Sequence, residues 1–175
     1  MKLQKIVNRL QKLHPKEIDL SLNRIKKLGE KLGNPQDKIK AISIVGTNGK
    51  YSTIKAMFAI LKEANIKCNI YTSPHIKNIN ERFVFNNHEL NNDELESLFE
   101  EIENANNNEP VTFFEILTAA YFLKASQYPD NINLIETGLF HRFDATNILK
   151  TNLANIVTTI GLDHLDWLPK NEKNV

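Results

Sequence analysis

The chain has 175 residues, long enough for one domain with its own hydrophobic core, and its 41% apolar and 25% charged residues are ordinary for a globular fold. A net charge of +1 gives no general electrostatic reason to expect nucleic acid or an acidic membrane as partner. The single cysteine, Cys68, excludes an internal disulfide framework, fits a reducing cytoplasm, and sits mid-strand as a small buried hydrophobe. The start has no secretion-signal pattern, and no apolar run approaches the ~20 residues of a membrane span. Asparagine is used heavily, including the near-continuous run Asn104–Asn108, and reads as background composition.

Leu3, Ile6, Val7, Leu10 and Leu13 share one helical face, and Pro15 stops that helix. Ile18, Leu22, Ile25 and Leu28 repeat the pattern, ending near Gly29 or Gly33. Ala41–Val45 reads as a buried strand and Thr53–Ala64 as a helix. Lys67–Tyr71 reads as the next strand and Arg82–Asn86 as a short outer strand or hairpin arm. Asp93–Asn104, with Asn92 as N-cap, is a charged amphipathic helix, and Phe113–Ser126 a more apolar one. Asn131–Glu136 and Ala154–Ile160 are two further buried strands. Strands that alternate with helices and are apolar along their length predict an α/β fold: a three-layer, mostly parallel sheet with helices on both faces.

In such sheets ligands gather at the carboxyl ends of the strands. The polar clusters Gly46–Thr53, Thr72–His75, Thr137–Asn147 and Gly161–Asp166 all follow predicted strands, so they are expected along one edge. Gly46–Thr53 has the character of a nucleotide phosphate loop. Gly46 and Gly49 let the backbone turn and bring N–H groups, with those of Thr47 and Asn48, close to phosphate oxygens. The following helix N-terminus adds unpaired donors and a favourable dipole. Lys50 can neutralise terminal phosphate charge, and Ser52 or Thr53 can ligate Mg2+. The general P-loop has four residues between its first glycine and its Gly-Lys pair; here there are two. An ordinary βα turn with an exposed lysine is the alternative.

The string GTNGK, followed by YTSPH after one helix and one strand, resembles the Mur-ligase superfamily, and more narrowly folylpolyglutamate synthase, often bifunctional with dihydrofolate synthase. HPKEIDLSLNRI, LGNPQ, TFFEILTAAYFL, ETGL with DATN, and TTIGLDHLDW match in order, so the resemblance covers nearly the whole chain. It implies an enzyme that uses ATP to phosphorylate a folate or dihydropteroate carboxylate, which the amino group of L-glutamate then attacks. It also implies Lys50 and His164 as catalytic residues, and Ser73, Glu136 and His164, with Ser52, around Mg2+. Thr112, Phe113, Phe114, Glu115 and Asp144 would hold the pterin, and Arg142 and Asn147 belong to the same segment. Taken singly, Phe113 and Phe114 read as core, Glu136 as a capping carboxylate, and His164 and His75 as surface or structural histidines; their ordered co-occurrence gives the site roles.

Three departures bear on that implication. The family loop has glycine at Tyr51, so a bulky side chain is expected to crowd the phosphates, and a positive φ there would cost about 1–2 kcal/mol. Phe140 and His141 stand where the family has two glycines. Family members also continue into a C-terminal domain that supplies much of the glutamate site. The chain is therefore expected to be an incomplete N-terminal ATP-binding domain with doubtful activity of its own. It would then be half of a split enzyme whose other half is encoded separately, or a non-catalytic nucleotide- or pterin-binding module. A generic P-loop phosphotransferase is the remaining alternative, against which the TSPH, TFFE and DATN segments count.

Overall fold

The computed structural model describes residues 2–14, 16, 19–138 and 141–163. Six strands form one sheet in the order β4-β3-β2-β5-β1-β6: β1 (Lys40–Val45), β2 (Cys68–Tyr71), β3 (Phe83–Phe85), β4 (His88–Glu89), β5 (Ile132–Glu136) and β6 (Ala154–Val157). Strands β2, β5, β1 and β6 run parallel, and β3 and β4 add an antiparallel hairpin. The helices are α1 (Lys2–Leu10), α2 (Asn23–Lys31), α3 (Lys50–Glu63), α4 (Asn92–Asn106) and α5 (Phe113–Ala125). None of the helices among the described residues is long and apolar enough to cross a membrane.

Period-two alternation along the strands decides which layer each side chain joins. Ala41, Tyr71, Phe83 and Ile135 face α1, α2, α4 and α5 in the larger core. Ile44, Ile70, Val84 and Leu134 face α3 and its one buried residue, Ile54. Helix α5 is buried on almost every side, which is why its sequence lacks a polar face.

The boundaries differ from the sequence expectations for local chemical reasons. Helix α2 starts at Asn23 rather than near Ile18, because Arg24 draws both the carboxylate and the carbonyl of Asp19 into bonds that a helix there would not allow. Ile18 and Pro15 lie outside the described residues. The cap of α4 is Asn91, not Asn92: its side chain accepts the Glu94 N–H while Glu94 accepts the Asn91 N–H. Helix α3 begins at Lys50, three residues earlier than expected, and β6 ends at Val157. The asparagine excess is partly structural, since Asn34, Asn65, Asn86, Asn87, Asn107 and Asn108 all take positive φ, which asparagine tolerates best after glycine.

Asparagines also fill the polar interior at the start of the parallel strands. Asn69 donates to Asn133 Oδ1 at 3.1 Å, Tyr121 donates to the same oxygen at 2.9 Å, and Asn133 Nδ2 donates to Lys40 O at 3.1 Å. Asn131 closes the network on Asn69 and Asn86. Asn69 and Asn133 are fully buried, so each bond replaces water in the low-dielectric interior. Asn133→Ala is expected to strand the Asn69 and Tyr121 donors and lower unfolding free energy by about 2–4 kcal/mol, read from urea denaturation curves.

Candidate functional site

Strand β1 delivers Gly46 at its carboxyl end, and the loop Gly46–Gly49 turns directly into α3. Gly46 and Gly49 have φ of +146° and +85°, so the turn needs glycine at both. A Cβ at Gly46 would also collide with Thr158 Oγ1. The loop is stapled from behind by the segment that follows β6. Thr47 N–H donates to Thr159 O at 2.8 Å, and the hydroxyls of Thr158 and Thr159 donate to Asn48 O at 2.7 and 3.1 Å. Thr47 Oγ1 donates to Gly161 O at 3.1 Å and accepts from Gly161 N–H at 3.0 Å. The threonine pair after β6 had no assigned role in the sequence; β6, expected to be buried, is a largely exposed edge strand because nothing pairs or packs on its outer side among the described residues. Lys50 Nζ arches over the loop and donates to Gly46 O at 2.6 Å and Thr47 O at 3.4 Å. Ser52 is exposed and Thr53 half-buried in the first turn of α3.

The positive φ that would have strained Tyr51 is absent. Tyr51 lies inside α3 with helical backbone, is 52% exposed, and sits under the Lys55 ammonium 5.2 Å from its ring centre. Glycine is required here at Gly49, not two residues later at Tyr51.

Strand β5 ends in Glu136, which is only 5% exposed. Its Oε2 accepts the Ser73 N–H at 3.1 Å, joining the loop after β2 to the end of β5. Burial pushes the Glu136 carboxyl above the ordinary carboxylate range, and the Ser73 N–H and the charges of Lys50 and Arg82 oppose it. The structure thus brings together Ser73, Glu136 and Lys50. His164 lies outside the described residues, so its expected place beside them is not part of the geometry. Among the described residues no three His, Cys, Asp or Glu side chains converge. One carboxylate with hydroxyl oxygens in the adjoining loops offers a hard, oxygen-only donor set, which fits a hard divalent cation better than a nitrogen- or sulfur-seeking ion.

The Ser73–Asn78 loop is built on Glu81, which the sequence reading passed over although Asn78 and Glu81 have capping-box spacing. Glu81 accepts the N–H groups of Ile76, Lys77 and Asn78 at 2.7–2.8 Å. These bonds hold its carboxyl down at about 2. Next to it, Arg82 Nε donates to His75 Nδ1 at 2.8 Å, and burial with the Arg82 charge lowers the His75 pKa.

The residues expected around a pterin lie at the start of α5 and in the segment after β5. Thr112 caps α5 in a reciprocal box with Glu115. Glu115 is buried, and its Oε2 also accepts Arg24 Nε at 3.0 Å while Oε1 is buried without a hydrogen-bond partner. Phe114 stacks on Tyr71 with ring centres 6.1 Å apart, and Phe113 packs against the larger core. Gly138 lies against Asp144 and Phe114, leaving no room for a side chain. Asp144 is buried, which raises its pKa, and it accepts bonds from the Thr146 hydroxyl and N–H. Asn147 donates to Arg142 O, and the Arg142 guanidinium lies over Phe143. Phe140 lies outside the described residues, and His141 does take a left-handed φ of +33°.

Two measurements follow from these backbones. His141→Gly is expected to stabilise by about 0.5–1 kcal/mol, whereas Tyr51→Gly costs about 0.5 kcal/mol of helix propensity; thermal melts that rank them the other way would contradict the geometry. The Glu81 carboxyl is depressed in the folded state, so its contribution is complete above its ordinary 4.5 and is lost as pH falls through about 2. Amide protons of Ile76, Lys77 and Asn78 should lose their hydrogen-bonded shifts across that window in NMR titration.

No protein-family model matches the chain. The dihydrofolate synthase/folylpolyglutamate synthase of Escherichia coli is 36% identical over 168 residues, covering 95% of this chain and 39% of the relative. That of Bacillus subtilis is 36% identical over 155 residues, covering 84% and 36%. Among solved structures, E. coli FolC in complex with DHPP and ADP matches with a TM-score of 0.89 at 35% identity, covering 98% of this chain and 41% of that one. The bifunctional Yersinia pestis enzyme complexed with AMPPNP and Mn ion matches with a TM-score of 0.85 at 34% identity, covering 95% and 40%. The chain spans about two fifths of the length of the relatives it matches. With this identity over nearly its whole length and the same α/β fold, the chain belongs to the dihydrofolate synthase/folylpolyglutamate synthase family, to whose N-terminal part it corresponds.

Proposed function

We propose that this chain carries the nucleotide and pterin ends of an ATP-dependent ligase that joins glutamate to a folate or dihydropteroate carboxylate. The observation that supports this best is the meeting of two loops on one buried carboxylate: Glu136 accepts from Ser73 at 3.1 Å and lies in the field of Lys50 from the phosphate loop. Gly46–Thr53 takes the ATP phosphates on its backbone N–H groups and on the N-terminus of α3. Lys50 exchanges its two carbonyl bonds for charge-assisted bonds to terminal phosphate oxygens.

A carboxylate is a poor electrophile. Its oxygen attacks the γ-phosphorus and ADP leaves; the glutamate nitrogen then attacks the acyl carbon, phosphate leaves as the C–O bond breaks, and the nitrogen gives up a proton as the amide forms. Glu136, Ser73, His164 and Ser52 would hold Mg2+, which would supply screening of the phosphate charge. Phe114, Thr112, Glu115 and Asp144 hold the flat pterin so that its carboxylate end points along the strand ends towards Lys50. Glutamate transfer is completed with the remainder of the length seen in the relatives, joined to this chain or encoded separately.

Calorimetric titration tests the binding half of this reading directly. The chain should bind Mg2+–ATP at one site, Lys50→Met should weaken it at least tenfold, and Glu136→Gln should remove the Mg2+ dependence. Equal affinity in all three proteins would overturn the assignment.

A further inference from the structure

Arg82 carries a half-buried guanidinium whose charge acts on Glu136, and nothing in the reaction described so far uses it. It ends the turn Ile79–Arg82, and its carbonyl accepts the Thr72 N–H at 3.3 Å, which fixes the turn against the exit of β2. Its Nε is spent on His75 Nδ1 at 2.8 Å. That leaves the edge formed by its two terminal nitrogens, the edge that suits a planar, two-oxygen acceptor. Arg9 and Arg24 both use their guanidinium groups on carboxylates, Glu103 for the first and Asp19 with Glu115 for the second. Among the described residues Arg82 has no such partner at ion-pair distance, although a partly desolvated cation without a counter-ion is costly.

Its charge is felt by Glu136, and so is that of Lys50 from the opposite loop. One carboxylate, whose Oε2 already accepts the Ser73 N–H, therefore feels the charge of two cations. A divalent ion on that carboxylate would leave the cluster strongly positive. An anionic ligand supplies the missing charge.

Resting on the ligase reading above, we propose that Arg82 is the oxyanion-binding residue of this site, its terminal nitrogens taking two oxygens of a ligand phosphate or carboxylate beside Glu136. The two sources share one chemistry and separate on titration. Arg82→Met and the parent chain are compared by calorimetry with Mn2+–AMPPNP, Mn2+–ADP and dihydropteroate, with a thermal melt of each protein alongside.

A tenfold or greater loss for AMPPNP alone assigns the terminal phosphate; the same loss for dihydropteroate alone assigns the carboxylate; loss for both nucleotides assigns an inner phosphate. If the parent binds Mn2+–ADP and Arg82→Met matches it for every ligand while only its melting temperature falls, Arg82 is an anchor for His75 and the inference fails, leaving the nucleotide reading intact. A parent that binds none of the three overturns both. Should Arg82→Met not fold, Arg82→Lys keeps the charge but not the fork and is expected to lose at least threefold for the same ligand; parent-like affinity there counts against the assignment.

Discussion

A carboxylate 5% exposed at the end of a central strand is unfavourable unless something compensates it, and three groups from three directions do so here. The Ser73 N–H comes from the loop after β2, the Lys50 charge from the loop after β1, and the Arg82 charge from the turn before β3. None of these reaches Glu136 unless β5 lies between β1 and β2 in parallel, with Ile44 level with Glu136 and Tyr71 with Ile135. The buried asparagine network at the opposite end of the strands locks that register, because a slip would leave several polar groups unpaired in the interior.

The phosphate loop depends on β6 in the same way. Glycine lets Gly46 and Gly49 adopt their turn, but the shape is held by hydroxyls and carbonyls of Thr158, Thr159 and Gly161. A short loop, with two residues between its glycines, has few contacts of its own. The segment directly after the edge strand β6 supplies them. This couples the last described strand to the first chemical element of the fold.

Much of this was legible in the sequence. The parallel order of layers and the clustering of polar segments at one edge followed from apolar runs and from what ended them. Gly46 and Lys50 stood out because they link an apolar strand to a helix, and Ser73 and Glu136 because they fall in segments that match the family in order. What escaped was chemistry with no periodic signature. Glu81 looks like any surface glutamate until its three backbone donors fold around it. Thr158 and Thr159 read as the tail of a strand, and Asn91 yielded its cap to its neighbour Asn92 because both residues are asparagine. Tyr51, where the family has glycine, would be strained only at a positive φ, and the helix that begins one residue before it gives it a helical backbone instead. His141, judged by the same comparison, does carry the left-handed backbone.

The central claim is that the loops after β1 and β2 and the end of β5 form a single metal–nucleotide site around Glu136. Adding Mn2+–AMPPNP to the 15N-labelled chain tests it by paramagnetic broadening. Amides of Gly46–Lys50, Ser73, Thr137 and Gly138 should broaden first and together, and a Glu136→Gln chain should lose the effect at Ser73 and Thr137. Broadening centred on Glu81 or on the acidic face of α4, with the ends of β1 and β5 left sharp, would contradict it.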